Sequence, residues 1–144
     1  MRKLIFLSII SIVFGAIIYT GFRSSSIILF NWIEYIGLIN LVENLRIFTL
    51  EYKDSLPLWF LYSLPDGLWM FSYSCIVLVI WKMEVTKHSL LCILSLLMFS
   101  IIFEILQYYQ YVNGTFDIID IIFFIFGGLL PLYINQKIKH ETLY

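Results

Sequence analysis

Five side chains in this chain are out of place in hydrocarbon: Asp66, Glu104, Gln107, Asp117 and Asp120. Each lies within or at the edge of an apolar run. A charged group at mid-bilayer costs at least ~2.5–3.5 kcal/mol on insertion scales, so such groups face a protein interior or a wet cavity and mark function by default. Glu104 and Gln107 are three residues apart, as are Asp117 and Asp120, and that spacing puts each pair on one helix face. Carboxylates gathered in a low-dielectric pocket cannot all ionise together. Two carboxyl groups in different protonation states can act as general acid and base. The same set can instead bind a cation, or an amine or hydroxyl of a ligand. Glu104 and Asp120 are the candidates for any catalysis. All five are candidates for ligand binding, with Glu104, Gln107 and Asp120 as a polar floor and Asp66 and Asp117 at the rim.

Elements able to hold such a set follow from composition. The chain has 144 residues, of which 61 % are hydrophobic and 13 % charged, and its mean hydropathy is +0.92. Soluble domains are roughly 45–50 % apolar and roughly 25 % charged, so this is the composition of an integral membrane protein. The net charge of −1 gives no basic surface for nucleic acid. Cys75 and Cys92 lie in apolar runs without CxxC spacing, and His88 and His140 are far apart, so neither a metal site nor a cofactor is expected. Ser/His/Asp and Cys/His pairings and a glycine-rich phosphate loop are all missing from the sequence.

The apolar runs predict an all-α fold in one domain over 1–144, with spans at approximately 4–22, 66–81, 89–109 and 117–134. Met1-Arg2-Lys3 and the run after it have a signal-like start, but no pair of small residues suited to cleavage ends the run, so an uncleaved first span is expected. Residues 27–47 mix Asn31, Glu34, Asn40, Glu43, Asn44 and Arg46 with Trp32, Tyr35 and aliphatics, which predicts a helix lying in the headgroup region. A fifth crossing over 27–45 is the alternative. Residues 48–57 read as a loop. Asp66, after Pro65, reads as the N-cap of the second span, and Asp117 as the start of the fourth. The short loop around Asn113-Gly114 makes the last two spans antiparallel neighbours, so their polar faces can meet. Trp32, Trp59 and Trp69 at one interface, and Trp81 at the other, read as an aromatic belt. Gly127-Gly128 reads as a point of close helix approach.

Four spans put Arg2, Lys3, Lys82, Lys87, Lys137 and Lys139 on one side and Arg23, Arg46 and Lys53 on the other. Positive-inside bias then predicts a multi-pass protein of the cell membrane with both termini cytoplasmic and the acidic residues towards the outer leaflet.

The pattern Glu104-Ile-Leu-Gln107, a short loop, Asp117-Ile-Ile-Asp120 and then Gly127 resembles the C-terminal half of VanZ-like membrane proteins, which pair an E-x-x-Q helix with a D-x-x-x-N-x-x-G helix. The likeness covers mainly the last two spans. This chain departs from it in having no Arg in the loop and Phe124 at the Asn position. The resemblance implies a cell-envelope role at the outer face and a link to glycopeptide-antibiotic response. The leading expectation is therefore a protein that binds an envelope lipid or glycolipid, with membrane lipid as its surroundings. The alternatives are a small intramembrane hydrolase or transferase using the carboxylates, and a structural or assembly subunit in which they only lock helices.

Overall fold

The computed structural model describes residues 1–24 and 28–141. Ser25, Ser26 and Ile27, where the expected interfacial segment begins, lie outside the described residues. The described chain is all-helical: α1 (Arg2–Phe22), α2 (Ile28–Tyr35), α3 (Ile39–Leu50), a 3₁₀ turn at Lys53–Ser55, α4 (Leu58–Ile80), α5 (Lys87–Tyr108) and α6 (Ile118–Glu141). Four of these, α1, α4, α5 and α6, are long and apolar enough to cross a membrane. The chain is a multi-pass membrane protein.

Helix α4 is the hub, packed most extensively against α6 and α1. Small residues make those approaches possible. A Cβ on Gly127 would run into the carbonyl of Gly67, and one on Gly67 would meet Phe123. Across the other face, Gly15 of α1 lies against the Trp69 indole and the Pro65 carbonyl. Lower in the same contact, Ser8 and Ser72 bond hydroxyl to hydroxyl at 2.8 Å, and Ser72 Oγ donates to the Ser8 carbonyl at 3.0 Å. With no hydrophobic drive between helices in lipid, such close packing and interhelical hydrogen bonds supply the association.

Several helix ends show why the elements begin and stop where they do. Thr86 and Ser89 form a capping box at the start of α5, with Thr86 Oγ1 accepting from Ser89 N at 3.2 Å and Ser89 Oγ accepting from Thr86 N at 2.9 Å. The C-terminus of α1 is closed from a distance: Arg46 Nη1 donates to the Thr20 and Arg23 carbonyls, and Thr49 Oγ1 donates to the Gly21 carbonyl at 2.9 Å. These bonds fasten α3 to the end of α1.

The structure differs from the sequence reading at four places. The segment after α1 is two helices, not one. Gly37, at φ +75°, ends α2 with Leu38 N bonded to the Ile33 carbonyl and Gly37 N to the Glu34 carbonyl, a Schellman stop. That break also removes a single crossing over 27–45. Second, α3 continues to Leu50 and a 3₁₀ turn follows, where a loop was expected. Third, α4 begins at Leu58, capped by Pro57, and carries Pro65 inside it. Asp66 therefore lies about 12 Å along the helix from Leu58 and caps nothing; it is not at the rim. Trp69 consequently falls mid-helix, tilted against Tyr19 with ring centroids 5.0 Å apart, and does not belong to an interfacial belt. Fourth, α6 runs through Gln136–His140 to Glu141, beyond the expected end at 134.

Candidate functional site

The loop between α5 and α6, the C-terminus of α1 and the first turns of α4 meet at one end of the bundle. A cavity of about 360 Å³ opens there, lined by Arg23, Leu58, Tyr62, Asp66, Glu104, Gln107, Gly114, Thr115, Asp117 and Asp120. All five residues singled out by type and spacing line this one cavity. Asp66 comes from α4, Glu104 and Gln107 from α5, Asp120 from α6 and Asp117 from the position just before it.

Each is held by local geometry. Glu104 is the most enclosed, 6 % exposed, and its Oε2 accepts from the Asp117 backbone N–H at 3.3 Å. Asp117 is the residue before α6, and its Oδ1 accepts from Ile119 N at 2.8 Å, the bond expected of an N-cap. One carboxylate thus closes the helix while its backbone N–H anchors the next. Gln107 is fixed by steric means: Gly114, at φ +149°, leaves room for its amide, and a Cβ there would come within 2.6 Å of it. Asp120, in the first turn of α6, lies with its carboxylate beside the buried Ser63 hydroxyl; neither its Oδ1 nor the Ser63 Oγ reaches good hydrogen-bond geometry with a partner among the described residues.

The electrostatics are lopsided. Asp66 lies within reach of the charges of Asp120, Arg23 and Glu104, and Asp120 within reach of Asp117 and Arg23. Four carboxyl groups face a single guanidinium, that of Arg23. Arg23 follows directly on α1 and stands between two rings, 5.1 Å from the Tyr19 centroid and 4.9 Å from that of Tyr62, a cation–π setting. Its Nε is buried without a hydrogen-bond partner among the described residues. A proton, a cation or a ligand's donor groups would complete the charge balance of such a cavity. Among the described residues no group of three His, Cys, Asp or Glu side chains is placed to hold a metal ion.

Arg23, Tyr62 and Ser63 are the residues that sequence reasoning missed. Arg23 enters that reasoning only as a topology marker, although a lone Arg closing a span at the carboxylate end is itself a signal. Tyr62 had no signal, because a span starting at 66 leaves it in a loop. Tyr108, Tyr109 and Tyr111 pack on one another and stay outside the cavity. The other half of the bundle is also less apolar than its sequence suggests. Ser8, Ser11, Ser72, Ser74, Ser89 and Asn135 are buried there, and Asn135 Nδ2 donates to the Met83 carbonyl at 2.9 Å. No protein-family model matches the chain, nor does any curated protein or solved structure.

Proposed function

We propose that this is a VanZ-like protein of the cell membrane whose acidic cavity opens towards the outer leaflet and binds the headgroup of an envelope lipid or glycolipid. One observation carries this reading: carboxylates from α4, α5 and α6 converge with Gln107 on a single cavity, although each is costly at membrane depth. Hydroxyl-rich and amine-bearing headgroups present many donors, and the cavity offers mainly acceptors. Tyr62 and Leu58 add the apolar walls that polar recognition needs around it. Arg23 supplies from the end of α1 a guanidinium of the kind that the family places in its loop. The distribution of Lys and Arg supports cytoplasmic termini, and an outer-face lipid site fits a part in envelope or glycopeptide-antibiotic response.

The bond from Asp117 N to Glu104 favours a second reading, a structural lock between α5 and α6. Two substitutions separate them. Under the binding reading, Glu104→Ala and Asp120→Ala give folded protein that has lost the envelope phenotype, here survival under glycopeptide challenge of cells deleted for the native gene. Folded variants with every envelope phenotype intact would sink it. Under the lock, Glu104→Gln is stable and silent, because the amide oxygen still accepts from Asp117 N.

A further inference from the structure

Behind Arg23 lies a second cavity, of about 380 Å³, with the opposite character. It is lined by Phe22, Arg23, Ser24, Arg46, Leu50, Lys53 and Tyr62. Three cations and no carboxylate line it. It shares only Arg23 and Tyr62 with the acidic cavity. Carboxylates lie beyond it on both sides, those of the acidic cavity past Arg23 and those of Glu34 and Glu43 past Arg46. The cations are held in place without carboxylates in this cavity. Tyr19 and Tyr62 hold Arg23. Arg46 lies 5.0 Å from the Phe30 centroid and donates to two backbone carbonyls at the end of α1. Lys53 belongs to the 3₁₀ turn that Ser55 Oγ braces by donating to the Tyr52 carbonyl at 2.7 Å. All three are half-buried. Like charges brought together at half-burial repel one another unless an anion joins them.

We propose that this basic cavity binds a phosphate group. Two guanidinium forks and an ammonium are the donor set that suits phosphate oxygens. The surroundings favour a phosphate carried by lipid over one free in water. One turn along α1 from Arg23, towards the middle of the span, begins a mainly apolar cavity of about 410 Å³ walled by Ile12, Ala16, Tyr19, Thr20, Leu29, Ile33 and Trp69. A headgroup phosphate at Arg23 would set its acyl chain along that wall. The inference stands apart from the acidic cavity, because Lys53 lines the basic cavity alone.

The test uses full-length protein in micelles containing equal amounts of phosphatidylglycerol and a phosphate-free diglucosyl diacylglycerol. Retained lipid is counted by mass spectrometry after extraction. The wild type retains phosphatidylglycerol over the glycolipid. Lys53→Ala lowers that preference roughly fivefold, the factor for one basic residue near an anionic lipid. Lys53→Glu lowers it further, and Lys53→Arg keeps it. A parallel arm titrates inorganic phosphate into protein held in the neutral glycolipid alone. A rise in melting temperature that Lys53→Ala abolishes, without lipid preference, assigns the site to the free anion. No retention of phosphatidylglycerol by the wild type together with no phosphate-induced rise overturns the proposal, and needs no variant to fold. Lys53→Ala and Lys53→Glu behaving as the wild type in both arms also overturns it.

Discussion

At Gly114 the backbone has φ +149°, and a Cβ there would come within 2.6 Å of the Gln107 amide. Both strain and collision follow from any larger residue. Gly114→Ala is therefore expected to lower stability by roughly 1–3 kcal/mol and to push Gln107 out of its place in the cavity. Thermal unfolding in detergent checks the first effect. Adding Gln107→Ala should recover the collision and leave the strain, so a partial rescue is expected; full rescue would mean that the backbone at 114 is unstrained. Single residues were the scale at which the sequence was most legible. Glu104, Gln107, Asp117 and Asp120 could be paired by helical spacing alone, and Asp117 could be read as a cap. Asp66 was found by type, while its depth was misjudged. Arg23 was passed over because its partners are Tyr19 on the preceding helix and Tyr62 on another, and a cation–π contact between helices leaves no local pattern.

Between elements, the decisive contact is that of α4 with α6 at Gly67 and Gly127. Gly127→Ala drives a methyl into the Gly67 carbonyl, which is backbone and cannot step aside. Gly128→Ala meets the end of the Met70 side chain at 3.1 Å, which can rotate away. Gly127→Ala should thus cost about 1–3 kcal/mol, the usual penalty for overpacking, and Gly128→Ala well under half of that. Comparable losses in a melting experiment would contradict this geometry. The close approach could be expected from Gly127-Gly128. The start of α4 could not. Leu64-Pro65-Asp66-Gly67 carries the local marks of a helix beginning, yet the helix runs through it from Leu58. Proline is tolerated inside membrane helices where neighbouring helices and polar groups compensate the freed backbone, and here α1 and α6 pack α4 on two faces. Tertiary packing overrode the local signal. The Gly37 stop between α2 and α3 was visible in principle, since glycine just past an apolar helical stretch is the usual C′ residue.

Among the described residues there are four candidate crossings, an even number that sets residues 2 and 141 on one side and the loop around Asn113 on the other. Single cysteines in a background lacking Cys75 and Cys92 test this. Lys3→Cys should resist a membrane-impermeant maleimide applied to intact cells, and Asn113→Cys should react. The reverse labelling would turn the acidic cavity to the cytoplasm and remove the outer-leaflet ligand. Composition made the four-helix membrane architecture legible from the start, because length and hydropathy act over whole spans and average out local errors. The convergence of three helices on one cavity is a property of packing that no single segment carries. The most direct measurement is native mass spectrometry of the gently purified protein beside its Glu104→Ala variant. A defined lipid mass held by the wild type and lost in the variant is the predicted result. No retained mass in either, at equal thermal stability, would contradict a binding site and leave the carboxylates as a lock between helices.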